Sequence, residues 1–238
     1  KVSFVPGYGD NTVAEFAFGL LLNLTRRIYE GIDQVKETGS FSYTGLRGVD
    51  LKGKTIGIVG TGRIGKEAIK IAHGFGMNVI AHDPFPDAAF AQKEKFTYTD
   101  LQTLLKTSDV IGLHCPLTKE TYHLIDKENI GFIKPGAFLV NTARGGIVST
   151  DALVEALQKG ILRGAALDVL EEEGETKDEI EFLTKRHPNE AELKTVLEER
   201  KIKVSSVEPS GKLAIVRTSQ IDQKQNNEFV KSLTAKYK

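Results

Sequence analysis

The 238-residue sequence predicts an α/β protein built on a doubly wound parallel sheet. Three observations carry this expectation. From Lys54 onward, short apolar runs alternate with segments of helical periodicity, the pattern of strands covered on both faces by crossover helices. The first run ends in a glycine-rich turn that opens the next helical segment. The composition then changes near residue 171: 21 of the 23 glycines lie before it, whereas 27 of the last 68 residues are charged. We expect one α/β domain over residues 1–175 and a charged, partly helical C-terminal segment over residues 176–238.

The stretch NTVAEFAFGLLLNLTRR reads as a helix over residues 12–28, opened by a capping box between Thr12 and Glu15. Val13, Ala17, Leu20, Leu21, Leu24 and Ile28 form its apolar stripe, widened by Phe16, Phe18 and Leu22. A stripe this wide predicts burial by more than one domain, and hence pairing with a second copy of the chain. Strands are expected at KTIGIVG, MNVIAHD, DVIGLHC, GAFLVNTA and RGAALDV. Between them, RIGKEAIKIAHGF places Ile64, Ala68, Ile71, Ala72 and Phe75 at helical spacing. TDLQTLLKTSD is a short helix with a box from Thr99 to Gln102. STDALVEALQKG is a helix capped by Ser149 or Thr150 and stopped by Gly160. Beyond Glu171, TKDEIEFLTKRHPNEAELKTVLEER is expected to form a pair of surface helices. The final stretch, from Lys201 onward, is expected to give one or two strands and a terminal helix.

Composition excludes several functions. Lys and Arg (32) balance Asp and Glu (32), which argues against a general nucleic-acid or acidic-membrane binder. The single cysteine, Cys115, excludes an internal disulfide framework and a cysteine-rich zinc module, and suits a reducing cytoplasm. No metal site is expected. The longest apolar stretch, VAEFAFGLLLNL, is interrupted by Glu15 and Asn23 and is too short to span a bilayer. No signal-peptide pattern is visible, and the chain opens with Lys1 rather than methionine.

The glycine turn is specific in its context. Gly60, Gly62 and Gly65 form G-T-G-R-I-G between a strand and a helix, and Asp83 closes the next strand. Gly60 permits a sharp turn, Gly62 leaves the backbone open to a pyrophosphate, and Gly65 lets the helix pack close to the strand. The helix start offers free N–H groups and the positive end of its dipole. Asp83 can accept hydrogen bonds from both ribose hydroxyls. A 2′-phosphate there would meet a like charge, and Pro84 follows where an arginine would be needed. This is the pattern of a Rossmann-type domain for NAD rather than NADP.

At these residues the chain resembles the D-isomer-specific 2-hydroxyacid dehydrogenases, most closely their D-lactate dehydrogenase branch. The resembling stretches include VPGYGDNTVAEFAFGLLLNLTRR, LRGVDLKGKTIGIVGTGRIGK, DVIGLHCPLTKETYHLID, IKPGAFLVNTARGGIV and GILRGAALDVLEEE, which together cover about residues 4–173. The resemblance implies hydride transfer between NAD(H) and a small 2-oxo or 2-hydroxy acid, with lactate and pyruvate the first guess. It implies that Arg63 and Ile64 lie over the pyrophosphate and Asp83 on the adenosine ribose. Cys115, Pro116 and Thr121 would border the cofactor, and Thr142, Ala143, Arg144 and Asp168 would lie at the nicotinamide. Arg144 would clamp the substrate carboxylate, since a planar guanidinium holds a carboxylate bidentately. Glu173, with Glu171 the next choice, would pair with a catalytic histidine and raise its pKa.

The chain departs from the family pattern at that histidine. The family's proton donor stands in a Thr-Pro-His setting, which this chain lacks; of its five histidines, only His187 follows Glu173, in the charged stretch KRHPNE. The resemblance therefore implies a cofactor-domain fragment with most of its substrate domain absent, binding NAD but turning over 2-oxo acids negligibly. The alternative is a non-catalytic, NAD(H)-responsive binding module like the corepressor relatives of the family.

Overall fold

The computed structural model describes residues 7, 9–39, 42–171, 179–183, 204–210 and 213–218. The chain divides into two compact units, residues 1–171 and 172–238. The first unit opens with two helices, α1 (Asp10–Arg26) and α2 (Ile28–Thr38). There follow β1 (Thr55–Val59), α3 (Arg63–Gly74), β2 (Asn78–His82), α4 (Ala88–Glu94) and β3 (Thr97–Tyr98). The second half adds α5 (Leu101–Thr107), β4 (Val110–Leu113), β5 (Ala137–Asn141), α6 (Thr150–Gln158) and β6 (Leu162–Leu167). The six strands form one parallel sheet in the order β3-β2-β1-β4-β5-β6.

All five expected strands are present, because each is an apolar run too short for a buried helix. Every residue of β4 and β5 is buried, as a strand covered on both faces requires. One face packs Ala14, Ala17 and Leu21 of α1 and Ala68 and Ala72 of α3. The other packs Leu104 and Leu105 of α5 and Ala152 and Ala156 of α6. The strand order reverses between β1 and β4, each of which pairs with a neighbour running outward from that point. In a doubly wound sheet the crevice outside the carboxyl ends at such a reversal is where ligands bind.

The expected helix caps are displaced. Helix α1 starts at Asp10 after Gly9, so Thr12 lies inside its first turn, and the Glu15 carboxylate accepts from Asn11 Nδ2 at 2.7 Å instead of closing a box. Helix α5 is capped by Asp100, whose side chain takes both the amide and the hydroxyl of Thr103 (2.8 and 2.7 Å), rather than by Thr99. A carboxylate next to the intended hydroxyl is the stronger acceptor. Ser149 caps α6, as one of the two expected choices. Helix α1 ends at Arg26 because Arg27 turns left-handed (φ 53°), and Ile28 therefore belongs to a second helix, where it is exposed. Phe18 is not a surplus residue of the α1 stripe: it is buried and stacks on Phe75 (centroids 5.6 Å apart). Phe16 remains half exposed.

In the second unit, β7 (Glu179–Leu183), β8 (Val204–Ser210) and β9 (Leu213–Thr218) form an antiparallel sheet in the order β7-β9-β8. β7 corrects the expectation of a helix there: Glu-Ile-Glu-Phe alternates with period two, the strand pattern. The remainder of the expected helix pair and the terminal helix lie outside the described residues.

Candidate functional site

The residues singled out from the sequence converge on the carboxyl edge of the sheet. Gly60 follows β1 with φ +91°, a conformation that favours glycine. Its N–H donates to the His82 carbonyl at the end of β2 (2.9 Å). A Cβ on Gly60 would stand 2.7 Å from the Cys115 amide nitrogen, so the turn is pressed against the exit of β4. A Cβ on Gly65 would overlap the Gly60 carbonyl oxygen, and this close approach seats α3 on β1. Gly62 faces open space, with nothing within 4 Å of a Cβ placed there, and no side chain caps the start of α3. The turn thus presents bare backbone and a free helix N-terminus outward.

Asp83 lies at the end of β2 and is held on both oxygens. Oδ2 accepts from the Thr61 amide (2.6 Å) and the Thr61 hydroxyl (2.9 Å), and Oδ1 accepts from the Phe85 amide (2.8 Å). Thr61 Oγ1 also meets the Tyr98 hydroxyl at 2.9 Å. Burial pushes the Asp83 carboxyl up. The hydrogen bonds from Thr61 and Phe85, with His82 beside it, outweigh burial, and the group titrates below the ordinary carboxylate range. The negative charge is therefore fixed in place and direction. Neither Thr61 nor Tyr98 was marked by the sequence motif, although Thr61 sits inside it.

At the β4 exit, Cys115 is buried and its thiol is pushed up to about 11 by burial, with Asp83 adding to the effect. It is a protonated packing group, not a nucleophile. His114 is pushed down to about 4 by burial, which keeps its ring neutral at pH 7. Pro116 is exposed at the start of the following loop. The Thr121 hydroxyl donates to the Pro116 carbonyl (2.6 Å) and accepts from the Thr118 amide (2.7 Å), so that side chain braces the loop internally.

At the β5 exit, Asn141 is buried and organises the turn. Its amide nitrogen donates to the Arg144 carbonyl (2.9 Å), and its oxygen accepts from the Ala143 amide (3.0 Å). Thr142 is buried between them, and its hydroxyl has no hydrogen-bond partner among the described residues. The Arg144 side chain is exposed, and its guanidinium donates to the adjacent Ala143 carbonyl (2.6 Å). Asp168, just past β6, donates its amide to the Asn141 carbonyl (3.0 Å), which brings it beside this turn. Arg63 is exposed at the start of α3 and pairs with Asp10 (3.2 Å), while Ile64 packs half-buried against the core. Glu173 and His187 lie outside the described residues. Glu171 is already engaged: one carboxylate oxygen meets His123 Nε2 and the other accepts from the Thr150 amide (2.7 Å).

These residues fit a dinucleotide. The open Gly62 turn and free α3 N-terminus suit a pyrophosphate, the pinned carboxylate suits a ribose diol, and the unsatisfied Thr142 hydroxyl awaits a polar partner. Fold and site together define a dinucleotide-binding domain of the doubly wound class. The chain belongs to the D-isomer specific 2-hydroxyacid dehydrogenase family and matches its NAD-binding domain over residues 18–203. It is 49% identical over 175 residues to a 2-hydroxyacid dehydrogenase homolog of Zymomonas mobilis, covering 73% of this chain and 53% of that one. It is 43% identical over 173 residues to D-lactate dehydrogenase of Escherichia coli, covering 73% and 52%. Among solved structures, D-lactate dehydrogenase from Aquifex aeolicus complexed with NAD and lactic acid aligns with a TM-score of 0.66 and 42% identity, covering 71% of this chain and 50% of that one. The chain thus spans about half the length of the curated relatives it matches. The expected cofactor, NAD, is the one in the family's description.

A pH dependence follows from the depressed Asp83 pKa. Its stabilising contribution is complete above the unfolded carboxylate value of about 3.9 and is lost as pH falls through the lower folded value. Asp83→Asn should therefore be less stable than the wild type at pH 7. That gap should close as the pH is lowered toward about 2, as read by urea denaturation across the range.

Proposed function

We propose that this chain is the cofactor-binding part of an NAD-dependent oxidoreductase of the D-2-hydroxyacid dehydrogenase type, acting on a small 2-oxo/2-hydroxy acid, with pyruvate and lactate the first choice. The observation that carries the reading is the bare Gly60–Gly65 turn facing a carboxylate locked at the end of β2. On this reading the turn and the Arg63–Ile64 amides receive the pyrophosphate, with Arg63 available to add charge. Asp83 receives the adenosine ribose, and Phe85 and Thr61 prevent it from swinging aside for a 2′-phosphate. Cys115 and Pro116 form one wall by backbone and packing, and Thr121 keeps that wall in shape. Thr142, Ala143 and Asp168 line the nicotinamide end.

Bound NAD(H) supplies or accepts the hydride. The protein's own residues orient the other reactant. Arg144 is exposed at a strand's carboxyl end, and its planar fork can hold the substrate carboxylate in two parallel hydrogen bonds, fixing which face of C2 is presented. In this scheme Glu173 would hold a protonated imidazole near the reacting oxygen. A closed cleft needs walls from a second domain. The chain, spanning about half of its relatives, is therefore proposed to bind the cofactor while turning over 2-oxo acids negligibly by itself. A single buried cysteine suits a cytoplasmic setting. No helix among the described residues is long and apolar enough to cross a membrane.

The combined test is a binding and turnover assay on the purified chain. NADH should bind at least about tenfold more tightly than NADPH, since a 2′-phosphate would face the Asp83 carboxylate. Adding pyruvate should oxidise NADH at no more than the background rate. Equal affinity for the two nucleotides would contradict the cofactor reading, and brisk oxidation would contradict the inactivity.

We further propose that two chains pair through the helix at residues 12–28 and its continuation. Phe16 on α1 and Ile28, Ile32 and Val35 on α2 are all exposed apolar residues on consecutive helices. Light scattering should give a dimer mass at micromolar concentration. A monomer mass throughout would contradict the pairing.

A further inference from the structure

The Arg144 turn is gripped from two sides. Gly145 lies so close to the Leu170 carbonyl that a Cβ would overlap it. Gly146 lies against Leu117 and Tyr122, with a Cβ there 3.4–3.5 Å from their side chains. The loop after β4 and the segment after β6 thus enclose the turn like two jaws. His123 anchors the first jaw: its amide donates to the Gly146 carbonyl (2.8 Å), and its ring stacks on Tyr122 (centroids 4.0 Å apart). It does so in a left-handed conformation (φ 51°), which a non-glycine residue adopts at a cost. Glu171 ends the second jaw and ties it to the first through His123 Nε2, while its other oxygen takes the Thr150 amide at the start of α6. The glutamate titrates below the ordinary carboxylate range: burial opposes this, but the bonds from Thr150 and His123 prevail. Each carboxylate oxygen holds a different element. Alanine at this position would forfeit both bonds, whereas an amide could keep both by donating its NH2 to the other tautomer of His123.

We propose that Glu171, acting through His123, is a positioning residue that locks the Pro116–His123 loop onto the Arg144 turn and so sets the nicotinamide end of the cofactor site. This rests on the reading above, which puts the nicotinamide between that loop and that turn. Glu171 touches no reacting atom. Its effect is to hold two walls at a fixed spacing, and it is committed to that task rather than to a catalytic histidine. The adenosine end, built on Gly60–Gly65 and Asp83, does not depend on it.

The test separates the two ends by calorimetry on the full chain with two ligands, NADH and ADP-ribose, the latter lacking the nicotinamide. The variants are Glu171→Ala, which forfeits both bonds, and His123→Asn. Asparagine tolerates the left-handed backbone but is too short to reach Glu171. In both variants NADH should bind on the order of fivefold more weakly or worse, while ADP-ribose stays within about twofold of wild type. Affinities for both ligands falling together would assign the pair a general structural role and overturn the proposal, as would no loss for either. A wild-type chain that binds ADP-ribose and not NADH overturns it too; one that binds neither overturns the cofactor reading on which it stands. NMR of the wild type gives a readout independent of variant folding. NADH should shift the His123 ring resonances and ADP-ribose should not; unshifted resonances with NADH bound would overturn the lock.

Discussion

The close approach of Gly65 to the Gly60 carbonyl is the contact on which the site depends. It lets α3 begin directly over the end of β1, so the helix N-terminus meets the crevice where the strand order reverses. Any side chain at position 65 would lift the helix from the strand and withdraw its free amides from that crevice. The same turn is wedged against the exit of β4 at Cys115 and hydrogen-bonded to the end of β2 at His82. One backbone crossing therefore fixes the relative positions of three strand ends. Asp83, Cys115 and the bare Gly62 face converge because of it.

Around this crossing the chain uses short polar side chains to hold backbone in place. Thr61 orients Asp83, Asn141 shapes the Thr142–Arg144 turn, Thr121 braces its loop, and Glu171 joins two loops. Each lies at a strand's carboxyl end or in the loop that follows it, where ladder hydrogen bonding has stopped and backbone groups need other partners. Rigid placement of binding groups then follows from hydrogen bonds that the scaffold must make in any case. The buried thiol and imidazole at the β4 exit take no charged form at neutral pH, which leaves Asp83 as the fixed charge of the adenosine side.

Much of this was legible in the sequence. The five strands appear as apolar runs between glycines, and the turn with its following acid stands out because three glycines and Asp83 each answer a steric or electrostatic need. Local competition explains the displaced caps: Asp100 sits beside Thr99, and Gly9–Asp10 precede Thr12, so the caps stand one and three residues from the expected positions. Helix α2 follows α1 after a single left-handed residue, Arg27, which no turn motif announces. β3 is two residues long and gains its identity only by pairing with β2. The remaining site residues were illegible for another reason. Thr61 with Tyr98, and His123 with Glu171, are partners 37 and 48 residues apart, and a pairing at that range has no local signature.

The central claim is that the Gly60–Gly65 turn receives the pyrophosphate of NAD on bare backbone. Titration calorimetry of NADH into the chain and into Gly62→Val tests it most directly, because position 62 faces open space and a valine there leaves the core untouched. The account predicts saturable heat with the wild type and its loss in a variant that still unfolds cooperatively. Equal binding by both chains, or no heat with the wild type, would contradict it.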